Sequence, residues 1–251
     1  MEELNFHKAN SNKLIILLHG LMGSKDAPYR VRFAEKMNSL GYNVLRFNFS
    51  KGSGKNIYHS DIFTSQLNEL EEICSSYSDF DIGLMGACTG GNVALVYSSR
   101  NKVKCVFTLA PFSIPLDYQP QEEIRMNYID PQYISEIYKT QAESINKITS
   151  EKKRGRIIKK IGLFLPPAAV EDFLKYDICK AVEQIPYETK VCFVVGDKDP
   201  LVSVILTLPL YYAKKGLKEL HKIPSRSHGY INPSEADKVN ELAQSFFLSN
   251  L

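Results

Sequence analysis

The sequence contains no long apolar run. Its most hydrophobic stretches, residues 14–18 and 191–195, are strand-sized, against the roughly 20 residues of a membrane-spanning helix, so no membrane span is expected. It also carries no excess of one charge. A formal net charge of +3 in 251 residues leaves no electrostatic footprint for nucleic acid or a membrane surface. Cysteine is scarce and odd in number: the five residues at 74, 88, 105, 179 and 192 form no C-x-x-C pair and share no zinc-ligand spacing with histidine. Neither a disulfide framework nor a structural metal site is expected. The first residues, Met1 to Phe6, are acidic and lack the basic start and apolar run of a secretory signal. That pattern predicts a cytoplasmic protein whose thiols stay reduced. A phosphate-binding loop is missing too. Gly52-Ser53-Gly54-Lys55 is followed by Asn56 and lacks the spacing that loop requires, so no nucleotide and no other cofactor is expected.

What the chain does contain is an alternation of buried strands and amphipathic helices. Lys13 to Leu18, Tyr42 to Phe47, Asp81 to Met85, Val103 to Leu109, Lys190 to Gly196 and Leu217 to Ile223 read as strands. Several are continuously apolar, the habit of strands covered on both faces. Helical spacing covers Tyr29 to Leu40, about Ser60 to Tyr77, Asn92 to Ser99 and Pro233 to Leu248. Short connections between such elements specify an α/β fold, with a mostly parallel central sheet and helices on both faces. The rhythm breaks between Ile114 and about Thr189, where helix-like stretches at 134–148 and 168–182 replace strands. We therefore expect a core of residues 1–112 and 187–251, with a helical lid insertion at 113–186.

Gly86-Ala87-Cys88-Thr89-Gly90 lies between a strand and a helix, the context in which a G-x-nucleophile-x-G motif acquires meaning. Its flanking glycines let the central residue occupy a strained turn, and the helix N-terminus beyond it favours a thiolate. The bland reading of Cys88 is a small buried hydrophobe. Gly196-Asp197-Lys198-Asp199-Pro200-Leu201-Val202 closes a later strand, and Ser227-His228-Gly229 follows the last one.

In this order the three segments resemble the nucleophile elbow, acid loop and histidine loop of the α/β-hydrolase superfamily, with cysteine where most members carry serine, as in the dienelactone-hydrolase branch. The resemblance implies Cys88 as nucleophile, His228 as general base and Asp199 as the acid that orients it. Asp197 is the competing candidate for the acid, its alternative role being to shape the turn. His19-Gly20-Leu21-Met22-Gly23-Ser24 resembles the family's oxyanion loop. The implied oxyanion donors are the backbone N–H groups of Leu21 and Thr89, with Met22 as an alternative to Leu21. His19 is assigned a structural role. His7 and His59 fall in loops and His221 in the last strand, and none is assigned to the site.

The resemblance implies an acyl hydrolase acting on an ester, thioester or lactone through an acyl-cysteine intermediate. Acyl transfer or cyclisation is the alternative, because a thioester is more reactive toward amines than an ester. A ligand-binding protein without catalysis is the third reading. The expected partner is a small acyl substrate. The basic run of residues 152–160 within the insertion reads as a solvated face or as a dock for an acyl carrier protein or CoA thioester, and residues 161–166 as lid core or acyl-pocket lining.

Overall fold

The computed structural model describes residues 4–54, 56, 59–113, 167–199, 201–225, 227–230 and 232–251. Its centre is a seven-stranded sheet in the order β1-β3-β2-β4-β5-β6-β7. The strands are β1 (Asn5–His7), β2 (Lys13–Leu18), β3 (Asn43–Arg46), β4 (Asp81–Ala87), β5 (Cys105–Leu109), β6 (Lys190–Gly196) and β7 (Lys218–Ile223). All pairings are parallel except that of β1, which runs antiparallel to β3 at the edge. The strand at β1 is absent from the sequence reading. Three residues carry too short a pattern, and their pairing with Val44, Leu45 and Arg46 is a tertiary event.

Alternation of side chains along each strand sorts the core into two clusters. Leu14, Ile16 and Leu18 of β2 join one, and Ile15 and Leu17 the other. The first cluster is covered by α2 (Ile62–Ser76), α3 (Thr89–Ser98), α4 (Pro167–Leu174), α5 (Ile178–Gln184) and α6 (Val204–Ala213). The second is covered by α1 (Pro28–Ser39) and α7 (Pro233–Asn250). Burial on both sides is why β2 and β6 read as unbroken apolar runs.

The single helical stretch expected over 168–182 is two helices. The chain breaks at Tyr176, and Asp177 caps α5 by accepting the Lys180 N–H at 2.9 Å. Phe173, Ile178 and Val182 from these helices join the same cluster as the sheet. The stretches at 134–148, 151–160 and 161–166 lie outside the described residues. Helix α6 escapes the sequence reading because Val204–Ala213 is apolar all round and interrupted by Pro209, which shows neither a stripe nor an uninterrupted helix signal. Among the described residues no helix is long and apolar enough to cross a membrane.

Candidate active site

The parallel strands all point their C-terminal ends to one edge of the sheet, and ligand sites in open α/β sheets form there. The loops leaving β2, β4, β6 and β7 carry the four segments singled out in the sequence. Backbone strain gathers at this edge. Among the described residues, the non-glycine residues with positive φ are Met22, Cys88, Ala110 and Tyr230, each in a loop after one of these strands or after β5. Positive φ at non-glycine residues is sparsely populated and tends to occur at functional sites.

Cys88 has φ 52° and ψ −122° and is the residue on which α3 begins. Its own N–H is tied to the Leu109 carbonyl at 2.8 Å, and its carbonyl accepts from Asn92 at 3.1 Å. The turn is tight enough to demand its glycines. A Cβ at Gly86 would overlap the Gly90 backbone, and one at Gly90 would overlap the carbonyl oxygens of Leu18 and His19. The helix therefore starts at Thr89, earlier than the Asn92 of the sequence reading, with Gly90 and Gly91 inside its first turn. Glycines there look like breakers in sequence, but close approach to the β2 loop requires them. Thr89, as the first helical residue, has a backbone N–H with no intrahelical acceptor.

His228 Nδ1 donates to Asp199 Oδ2 at 2.8 Å, with the carboxylate fully buried and the imidazole 20 % exposed. The other oxygen of Asp199 accepts the N–H groups of Leu201 at 2.8 Å and Val202 at 3.0 Å, so the carboxylate is held on both sides. Burial disfavours the charged imidazole, but the charge and hydrogen bonding of Cys88 and the contact with Asp199 outweigh it and raise the His228 pKa to about 10. Asp197 does not reach the histidine by any hydrogen bond seen here. Its Oδ1 instead accepts the Ser225 N–H at 3.0 Å, and the Lys198 N–H donates to the Ser225 carbonyl at 3.0 Å. Asp197 thus braces the loop after β6 against the loop after β7.

In the β2 loop, the Met22 N–H is consumed by the Gly52 carbonyl at 2.7 Å. That contact occupies the donor of the residue named as the alternative to Leu21. His19 is a scaffold. Its Nδ1 donates to the Gly20 carbonyl at 2.7 Å and its Nε2 accepts the Phe49 N–H at 3.0 Å, which defines the Nδ1–H tautomer. Burial lowers its pKa to about 4, so it is neutral at physiological pH.

Sequence reasoning missed what the loop after β3 does. Besides the Gly52 contact, the Gly54 N–H donates to the Gly23 carbonyl at 3.1 Å, Ser53 bridges Gly23, and Gln66 from α2 holds the Lys51 carbonyl at 2.9 Å. The segment whose glycines and lysine suggest a phosphate loop is a brace for the loop after β2. No local signal marks this role, since it depends on two loops meeting across the sheet edge.

A profile of the alpha/beta hydrolase fold family matches residues 13–137. The chain belongs to that family. Among solved structures, this α/β-hydrolase superposes on ferulic acid-bound Est1E from Butyrivibrio proteoclasticus with a TM-score of 0.68 and 19% identity, over 99% of this chain and 94% of that one. A monoacylglycerol lipase from Paleococcus ferrophilus gives a TM-score of 0.67 at 15% identity, covering 99% of each chain. A dienelactone hydrolase from Anabaena variabilis gives 0.62 at 15% identity, covering 99% of this chain and 91% of that one. A search of curated protein sequences returned no match.

Proposed function

We propose that this α/β-hydrolase is an acyl hydrolase of the esterase class in which Cys88 is the nucleophile, His228 the acid–base group and Asp199 the residue that holds its tautomer. The esterase and lipase neighbours support the reaction class. The observation that carries the residue assignment is the convergence on His228 of a strained Cys88 and a buried, doubly held Asp199.

The reaction runs in two halves. The Cys88 sulfur, as the thiolate of a thiolate–imidazolium pair, attacks the acyl carbon, and the carbonyl π electrons move to oxygen. The N–H groups of Leu21 and Thr89 receive that oxyanion. Its collapse breaks the bond to the leaving group, which takes the proton from the His228 imidazolium, and an acyl-thioester remains on Cys88. In the second half, water loses a proton to His228 as it attacks the thioester. The tetrahedral intermediate then expels the Cys88 thiolate and releases the acid.

Incubating the protein with p-nitrophenyl esters and acyl-CoA thioesters of increasing chain length, with acid quench and intact mass measurement, tests the reading. Turnover and an acyl mass on Cys88 are expected, with both lost in Cys88→Ala. Turnover that survives Cys88→Ala, or neither turnover nor adduct at any chain length, overturns it. An added amine acceptor separates hydrolysis from acyl transfer: free acid as the sole product is expected, and an amide would assign the transferase reading to the same nucleophile.

A further inference from the structure

On the two strands whose C-terminal loops carry Asp199 and His228, the register of β6 and β7 pairs Cys192 with Glu219 and Val194 with His221. Alternation along a strand then brings Cys192, Glu219 and His221 to one face. The thiol sulfur, a carboxylate oxygen and an imidazole nitrogen lie within 4.8 Å of one another. Cys192 is buried, whereas the Glu219 and His221 side chains are 35% and 37% exposed, so the group opens to solvent from one side. His221 Nε2 stands 3.1 Å from Glu219 Oε2, and the Lys190 ammonium pairs with the other oxygen.

From this juxtaposition we propose that Cys192, Glu219 and His221 form a binding site for a borderline-soft divalent cation of the zinc type, distinct from the catalytic centre. Sulfur, nitrogen and oxygen donors in one cluster are the set such an ion selects. A tetrahedral zinc centre with ordinary bond lengths needs donor separations of about 3.3–3.8 Å, a contraction of about 1 Å from the widest spacing the cluster allows. Three protein ligands leave a fourth position for water. Binding releases the thiol proton to solvent as sulfur takes the metal, and the metal competes with Lys190 for Glu219. Because Glu219 and His221 sit on the edge strand and Cys192 on its neighbour, the ion would cross-link β7 to β6.

The test uses the full-length chain carrying Cys88→Ala, which removes the competing thiol of the triad, titrated with Co²⁺ and then with Zn²⁺. One equivalent of Co²⁺ is expected to bind with a near-ultraviolet thiolate-to-cobalt charge-transfer band, and Zn²⁺ should displace it. Adding Cys192→Ala should abolish the band, and His221→Ala should weaken binding by more than about tenfold. Lys190→Met should tighten binding by freeing the carboxylate. His221 and Lys190 are partly exposed, so their variants give an answer even if Cys192→Ala fails to fold. Absence of the band in the Cys88→Ala protein, or affinity indifferent to both His221→Ala and Lys190→Met, overturns the proposal. Neither outcome bears on esterase activity, which is assayed separately on the unsubstituted chain.

Discussion

His228 sits between two groups that favour its charged form and an environment that opposes it. Burial withdraws the imidazolium from water, while Cys88 and Asp199 together raise the pKa from 6.5 to about 10. A raised folded-state value means that the proton is bound more tightly in the folded chain. The associated stability is therefore complete below about pH 6.5 and is lost as pH rises toward 10. Removing Cys88 leaves Asp199 alone against burial. Imidazole NMR titration is expected to find His228 still protonated at pH 8 in the native protein and titrating lower in Cys88→Ala. The denaturation midpoint should accordingly fall less between pH 6.5 and 10 in that variant. Equal titration of the two proteins would remove Cys88 from contact with His228. The two aspartates of the acid loop separate in the same way. Asp199→Asn keeps the shape but offers the wrong hydrogen-bonding partner at Oδ2, and should lower kcat on the order of 10³–10⁴. Asp197→Asn retains an oxygen for the Ser225 N–H and should stay within a few-fold of the native rate. A comparison of the two rates against one ester decides between them.

The element that best separates legible from illegible structure is α2. Its apolar spacing through Ile62, Leu67, Leu70 and Ile73 predicts a helix over about 60–77, and Ile62–Ser76 is observed. Its N-terminus is another matter. Asp61 stands at the capping position but makes no side-chain cap, and its carboxylate is taken by Lys51 at 2.6 Å. The first turn is capped instead from α4, where buried Asp172 accepts the Thr64 N–H at 2.9 Å and the Thr64 hydroxyl as well. Such a cap is invisible in sequence because donor and acceptor lie 108 residues apart and meet only in the folded chain. Asp172→Ala should therefore cost about 2–3 kcal/mol, combining a lost cap with polar groups left unpaired. Asp172→Asn, which keeps one acceptor, should cost less. Chemical denaturation of the two variants checks both the size and the order. The remaining differences have similar causes. Pro209 and the absence of a polar face hide α6, and the glycines required by contact with the β2 loop hide the first turn of α3.

Across the whole molecule, the sheet brings together four loops that are dispersed along the chain. The order of their motifs is readable because each follows a strand with a recognisable pattern, so the loops that hold Leu21, Cys88, Asp199 and His228 could be picked out in the sequence. The Cys192, Glu219 and His221 cluster could not be, since Cys192 meets the other two only through strand register. The same architecture divides the five thiols. Cys74, Cys105 and Cys192 are buried, and Cys179 is partly covered by the first core cluster. Burial raises the thiol pKa to about 11 at Cys74 and to about 12 at Cys105 and Cys179, and pushes Cys192 higher still. Cys88 alone among them stands at the open edge where the strands end. Since alkylation requires an accessible thiolate, iodoacetamide at pH 7 should modify Cys88 in the native protein while the other four remain unmodified. All five should react once the sheet is unfolded in denaturant. Peptide mapping against time measures the two rates. Simultaneous labelling of Cys88 with any of the other four under native conditions would mean that the fold opens on the timescale of the reaction, and a protected Cys88 would mean that the edge is closed over it.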